Sequence, residues 1–189
     1  MQDVANFHSK VNSGAACEAA KEGIPSVAFS GAGGAQVSFT TLSTPSASTT
    51  TANTFAALGL AFTQALLSVP FNASSPILPT NVTLNVNYPD VSGSCTDAGA
   101  FDFILTRVTT AQPDTPPDVE TCGTNRLPTE ASVIATSGCH ASVSVMDANT
   151  KADVDADTQA FVLNKLGSFL SCLLSVLVYE YKVGWSFLL

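Results

Sequence analysis

A chain of 189 residues has the length of one domain, and a domain of that size buries roughly 70% of its unfolded surface. Charged residues make up 12% of it and hydrophobic residues 46%, which excludes an intrinsically disordered chain. Seven basic residues stand against fifteen acidic ones, for a net charge of −8. That balance excludes a nucleic-acid polymer as partner, because a phosphate backbone is held by clustered Lys and Arg.

Residues 1–12 carry no periodicity. From Ser13 to Glu22 small and helix-forming residues predict a helix that Gly23-Ile24-Pro25 stops. Ser26 to Ser30 is a short apolar run suited to a buried strand. Gly31, Gly33 and Gly34 follow it. A phosphate-cradling loop would lead into a helix carrying Lys-Ser/Thr, whereas Gln36 to Thr40 reads as extended, so a turn is expected. From Ala52, the residues Phe55, Leu58, Phe62, Leu66 and Val69 fall on one face of a helix that Pro70 ends. Val82, Leu84 and Val86 alternate with polar residues, which predicts a strand with one face buried.

Phe101 to Val108 is a second strand candidate, and residues 109–128, with four prolines, form a long excursion. Ala131–Thr136 and Ala141–Met146 are expected as strands on either side of Gly138-Cys139. Asp153, Asp155 and Asp157 then introduce a helix whose apolar face is Val162, Leu166, Phe169, Leu170 and Leu173. Loosely alternating strands and helices point to an α/β layered fold. The period is lost after Leu174, and residues 175–189 read as a hydrophobic tail that should not pack on the domain. Leu166 to Tyr179 is a run of 14 uncharged residues, short of the ~20 a membrane span requires. No membrane contact is expected.

The chemistry-bearing residues are sparse. Asp153-x-Asp155-x-Asp157 resembles the opening of a calcium loop, but Thr158 and Asn164 stand where that loop needs Gly and a bidentate Glu. Helix capping accounts for the acids better. No G-x-S-x-G is present. Cys139 and His140 are adjacent on a strand and so point to opposite faces, while His8 lies in an unpatterned segment. No Cys pair has zinc-site spacing. Cys95, Cys122, Cys139 and Cys172 fall in or beside loops and at a helix end, and Cys17 within a helix among alanines. Two disulfides with Cys17 free are therefore expected; four cysteines allow three connectivities, of which Cys95–Cys122 with Cys139–Cys172 is taken here. Two sequons, at Asn72 and Asn81, add to the lean towards an oxidising, glycosylating compartment. Met1 to Ala20 holds no apolar run of the kind a signal peptide needs.

Four motifs in order carry a family resemblance. Ser13-Gly14-Ala15 with its helix, then Gly23-Ile24-Pro25-Ser26-Val27-Ala28, resembles the SGT…GIPSIA stretch of the SurE phosphatases. Leu84-Asn85-Val86-Asn87-Tyr88-Pro89-Asp90 is similar to their LNVNxPD strand, and Phe103 to Arg107 to the strand ending in a TR pair. Thr129-Glu130 followed by Gly138 to Val145 resembles TD…GYVSVTPL. The cysteines and the Pro-rich excursion look like the secreted, fungal-type branch of 5'(3')-nucleotidases and acid phosphatases. The resemblance covers residues 13–172 and implies a three-layer fold with a mainly parallel sheet, usually oligomeric, lacking here the family's N-terminal strands. It divides the chain into a partial domain over 1–174 and the tail over 175–189.

It also implies hydrolysis of nucleoside monophosphates or other phosphomonoesters, with one divalent cation, Mg or Mn, as Lewis acid. The family's ligands are an Asp-Asp pair, a Ser and an Asn from segments that would precede Ser13, and Asn6 to Val11 does not match the Asn segment. No metal ligand or catalytic residue is thus assigned in this chain. Ser13 and Gly14 carry over as phosphate contacts, with Ala15 in place of the family's Thr; Ser13 reads equally as a helix N-cap. The expectation is a phosphatase domain by descent that does not turn over as it stands. A non-catalytic structural or interaction remnant of the fold is the alternative, and a secreted glycoprotein unrelated to phosphatases a third.

Overall fold

The computed structural model describes residues 13–68 and 75–173. Helix α1 covers 13–21, and β1 Ser26–Gly31 follows, then α2 Ala47–Ser68, β2 Val82–Tyr88 and β3 Asp102–Thr106. The short α3 Glu130–Ala135, β4 His140–Asp147, α4 Ala156–Leu166 and β5 Leu170–Ser171 complete the order. The strands form one sheet in the order β1-β2-β4-β3-β5. All pairings are parallel except β2–β4. The α/β class and the mainly parallel sheet are as expected.

Side chains alternate across a strand, so the sheet has two faces of different chemistry. On one, Phe29, Leu84, Val86, Tyr88, Val143, Val145, Phe103 and Leu105 meet Leu58, Phe62 and Leu66 of α2 and Val162 and Leu166 of α4. Phe62 is the centre of this layer: it is fully buried, and its ring lies 5.7 Å from those of Phe29 and Phe103 and 5.9 Å from that of Phe169. On the other face the register aligns Ser26, Thr83 and Met146 in one row and Ala28, Asn85, Ser144 and Thr106 in the next. A third row is Ser30, Asn87, Ser142 and Ile104. Helices α1 and α3 cover this polar face. Cys17 and Ala20 of α1 pack on Met146 and Ala148, and α3 lies against β2, β3 and β4. The expectation that β2 buries only one face is therefore corrected: Thr83 is 0% and Asn85 4% exposed.

Three boundaries differ for local reasons. Helix α2 starts at Ala47 rather than Ala52, because the Ser46 hydroxyl accepts the Thr49 N–H (3.1 Å) and caps it. Residues 131–136 are not a strand. The Thr129 hydroxyl accepts the Ser132 N–H (3.2 Å) and starts α3, a helix too short for its period to be read. Helix α4 stops at Leu166, where Gly167 takes φ +46; Phe169 and Leu170 stay on the core, but Leu170–Ser171 does so as a strand beside β3. Of the three acids at the start of α4, Asp157 lies in its first turn and Asp155 caps it by accepting the Thr158 N–H (2.8 Å). Asp153 does not cap. Its carboxylate accepts from the Val108 N–H (2.6 Å) and from the Thr109 N–H and hydroxyl.

The excursion after β3 has no strand or helix of its own before α3, and a buried ionic cluster holds it. Arg107 donates through Nη1 to both oxygens of Asp118 at 2.9 Å and through Nη2 to Asp153 at 3.4 Å. Asp118 also accepts from Arg126, the Leu127 N–H and Gln159. Two cations thus face two carboxylates with their lone pairs largely filled, which is what burying charge requires.

The disulfides are Cys95–Cys139 and Cys122–Cys172, with Cα separations of 5.3 and 5.6 Å, and Cys17 is a buried free thiol. Two bridges and a free Cys17 match the expectation, but the pairing is corrected. Antiparallel β2–β4 brings the chain leaving β2 to the start of β4, so Cys95 meets Cys139. Parallel β3–β5 sets the excursion leaving β3 beside the end of β5, so Cys122 meets Cys172. His8, Val69, Asn72 and the tail 175–189 lie outside the described residues. Among the described residues no helix is long and apolar enough to cross a membrane.

Two measurements check this account. Non-reducing peptide mapping should recover Cys95 joined to Cys139 and Cys122 to Cys172, with Cys17 alkylated only after denaturation. Phe62→Ala should cost about 3–5 kcal/mol in denaturant unfolding, while Phe39→Ala, at a side chain 81% exposed, should stay within about 0.5 kcal/mol of wild type.

Candidate functional site

The polar face of the sheet gathers the residues that the SurE resemblance points to. Asn85 and Asn87 project from β2, and Ser142 and Ser144 project from β4 beside them. The alternation of Asn-Val-Asn with Ser-Val-Ser puts every polar residue on one side and every valine in the core. Burial then forces these groups to bond to one another. Thr106 and Ser144 hydroxyls are 2.7 Å apart, and Asn87 Nδ2 donates to Ser142 Oγ at 3.2 Å. At the far end of the face Ser26 and Thr83 hydroxyls lie 2.9 Å apart, and Ser26 donates to the Ala16 carbonyl of α1 at 2.7 Å.

Ser13 enters this network from α1. Its hydroxyl donates to Asn85 Oδ1 (3.0 Å), and Asn85 Nδ2 donates to Glu130 Oε1 (2.7 Å) at the start of α3. One amide therefore joins both covering helices to β2. Ser13 is itself helical. Gly14 is half-buried, with nothing within 4 Å of where a Cβ would stand.

Among the described residues, Glu130 is the acid that accepts a hydrogen bond from a β2 side chain on this face. Burial pushes its carboxyl above the usual glutamate range, and hydrogen bonds from Asn85, Ser144 and Asn87 offset that only in part. The nearby charge of Asp153 raises it further. Sequence inspection placed Glu130 and Asn85 only as motif positions. Their contact spans 45 residues, and nothing in the spacing announces it.

The other candidates are placed elsewhere. Gly33, at φ +72, lies so close to the Asp90 carboxylate that any side chain there would collide with it, and the Ala32 N–H donates to the Tyr88 carbonyl (3.0 Å). The glycine segment is thus a turn folded onto the end of β2, as expected. Asn81 is half-buried at φ +60, and the threonine of its sequon, Thr83, is fully buried. His140 and Cys139 do not converge, since Cys139 is bridged to Cys95. A cavity of about 350 Å³ opens at the β5 edge beside the Cys122–Cys172 bridge, lined by Leu105, Leu127, Leu163 and Arg126, and it contains neither Ser13 nor Glu130.

A family model described as Survival protein SurE matches residues 7–115, more than half of the chain. The chain belongs to the SurE family. No curated protein and no solved structure matches it. SurE membership suggests a hydrolase of the phosphatase or nucleotidase type, acting on phosphomonoesters and typically dependent on a divalent metal.

The described residues do not fit that metal. Among them no group of three or more His, Cys, Asp or Glu side chains is suited to hold one. Hard divalent cations take several oxygen ligands, usually with more than one carboxylate or phosphate among them. Around Ser13 the donor set is amides and hydroxyls already bonded to each other, and a single carboxyl whose burial favours its neutral form.

The raised Glu130 gives a stability test. Between the ordinary glutamate value of about 4.3 and the higher folded value, the folded chain holds a proton that the unfolded chain has released. Stability from this group is therefore fully present below that window and lost as pH rises through it. Thermal melts of wild type and Glu130→Gln should diverge with rising pH, the variant becoming relatively more stable. A constant difference across the window would contradict the burial argument.

Proposed function

We propose that this chain is the scaffold of a SurE-type phosphomonoesterase, of the secreted 5'(3')-nucleotidase and acid phosphatase branch, and that it does not itself turn over. The substrate side is the rim of the polar face, with Ser13 and Gly14 as phosphate contacts and a nucleoside monophosphate as the substrate class. The observation that carries this reading is the Ser13–Asn85–Glu130 chain, which holds a family motif serine at the edge of a polar sheet face. Two disulfides are compatible with an extracellular protein. A homo-oligomer is expected on the family pattern, with glycosylation at Asn72 and Asn81.

Inactivity follows from charge. A phosphomonoester is a dianion near neutral pH, and attack on it needs positive charge at the reacting centre. Three basic side chains are committed elsewhere. Arg107 is bonded to Asp118 and Asp153, Lys165 to the Pro76 carbonyl, and Lys21 to Glu18. Among the described residues, no group of carboxylates that would hold Mg or Mn is gathered near Ser13. The same donor set supports the second reading, a non-catalytic structural or interaction remnant, because the polar groups of the face bond inward to each other.

The test is to express residues 1–189 and assay phosphate release from a nucleoside monophosphate with and without Mg or Mn. The expected result is no metal-dependent release above that of Ser13→Ala. Metal-dependent turnover that Ser13→Ala abolishes would overturn the proposed inactivity.

A further inference from the structure

An amide side chain has one accepting end and one donating end, so its direction at one contact dictates its direction at the other. Asn85 is held in this way between Ser13 and Glu130. An ionised carboxylate only accepts. It draws Asn85 Nδ2 towards itself, which turns Asn85 Oδ1 to Ser13 and engages the Ser13 proton inward. A protonated Glu130 carries an O–H donor. When that donor is aimed at Asn85, the amide turns over about its terminal torsion, accepts from Glu130 through Oδ1 and donates through Nδ2 to Ser13 Oγ. The Ser13 proton is released to donate outward.

We propose that Glu130 is a positioning residue which, through Asn85, sets whether Ser13 presents a donor or an acceptor to a tetrahedral oxyanion at the rim of the polar face. A fully charged oxyanion only accepts hydrogen bonds, so the site takes it better when Glu130 is protonated. The inference rests on the reading of Ser13 as a phosphate contact given above. No covalent step is involved; one proton moves between solvent and Glu130.

The surroundings permit this exchange. Burial keeps the Glu130 carboxyl above its usual range. The strands beneath it present Asn85, Asn87 and Ser144, which are uncharged. Arg107, which follows β3, is bonded to Asp118 and Asp153, and Asp153 acts on Glu130 as a like charge. On α1, Glu18 and Lys21 pair with each other at the surface at 2.9 Å, and Cys17 is a buried thiol pushed up by its burial. On β4, Asp147 is turned into contacts with Thr150 and Asn149, and His140 stands at the opposite end of the strand. No cation among these groups is paired with Glu130; hydrogen bonds from Asn85, Ser144 and Asn87 favour its ionised form, and burial outweighs them.

The probe is sulfate, a tetrahedral dianion whose charge is constant over the range. Its affinity for the full chain is measured calorimetrically from about pH 4.5 to about pH 8. Wild-type affinity should fall roughly tenfold as pH rises, the worth of one hydrogen bond to a charged group. Glu130→Gln should show no pH dependence, and Ser13→Ala should bind weakly throughout. Asn85→Ala keeps the charge change at Glu130 but removes the relay, so its binding should also be flat. Retention of the wild-type pH dependence in Glu130→Gln or in Asn85→Ala overturns the proposal. In parallel, the side-chain amide resonances of Asn85 should titrate in wild type and in Ser13→Ala, and not in Glu130→Gln. An Asn85 amide indifferent to pH in wild type overturns the relay whatever sulfate does. A titrating amide with equal sulfate binding by wild type and Ser13→Ala keeps the relay and removes Ser13 from the phosphate site.

Discussion

The rest of the structure depends on one constraint: the sheet is buried on both faces, yet one of those faces is polar. A strand buried on both sides is ordinarily apolar throughout. Here Thr83, Asn85, Ser142 and Ser144 are each no more than 4% exposed. Leaving such groups unbonded would cost roughly 1–3 kcal/mol apiece, so the fold has to supply partners for them. It does so within the face and through the two helices that cover it. Asn85 is the junction, since its side chain bonds to both α1 and α3.

This constraint also sorts the helices. Helices α2 and α4 sit on the apolar face by area burial, with Phe62 and Val162 fully enclosed. Helices α1 and α3 are short and owe their placement to a few directed bonds and to the small contact of Cys17 and Ala20 with Met146 and Ala148. Area burial is non-directional and tolerates rearrangement, whereas an amide between a hydroxyl and a carboxyl has defined ends. The layer that carries the family motifs is therefore the one whose geometry responds to protonation. Cys122–Cys172 and the Arg107–Asp118 pair secure the excursion at the other side of β3.

Much of the fold was legible in the sequence, because period and punctuation report local structure. Phe55, Leu58, Phe62 and Leu66 marked α2, and the Val-x-Leu-x-Val and Val-x-Val patterns marked β2 and β4. What escaped was long-range. The burial of the second face of β2 depends on α1 and α3, which are distant from it in sequence, and alternation alone reads as solvent exposure. Residues 131–136 look like a strand by composition, and a single cap at Thr129 reverses that. The disulfide pairing follows strand order, which no spacing encodes: nearest-neighbour pairing failed because β4 sits between β2 and β3. In the candidate site, Ser13 and Gly14 came from a motif, but Asn85 and Glu130 become meaningful only once they are seen in contact.

The central claim is that Asn85 ties the two helices of the polar face to the sheet, independently of the two on the apolar face. Amide hydrogen exchange on Asn85→Ala tests it most directly. The account predicts that residues 13–21 and Glu130–Ala135 lose protection together while α2 and α4 keep theirs. Unchanged protection in α1 and α3, or an equal loss in all four helices, would contradict it.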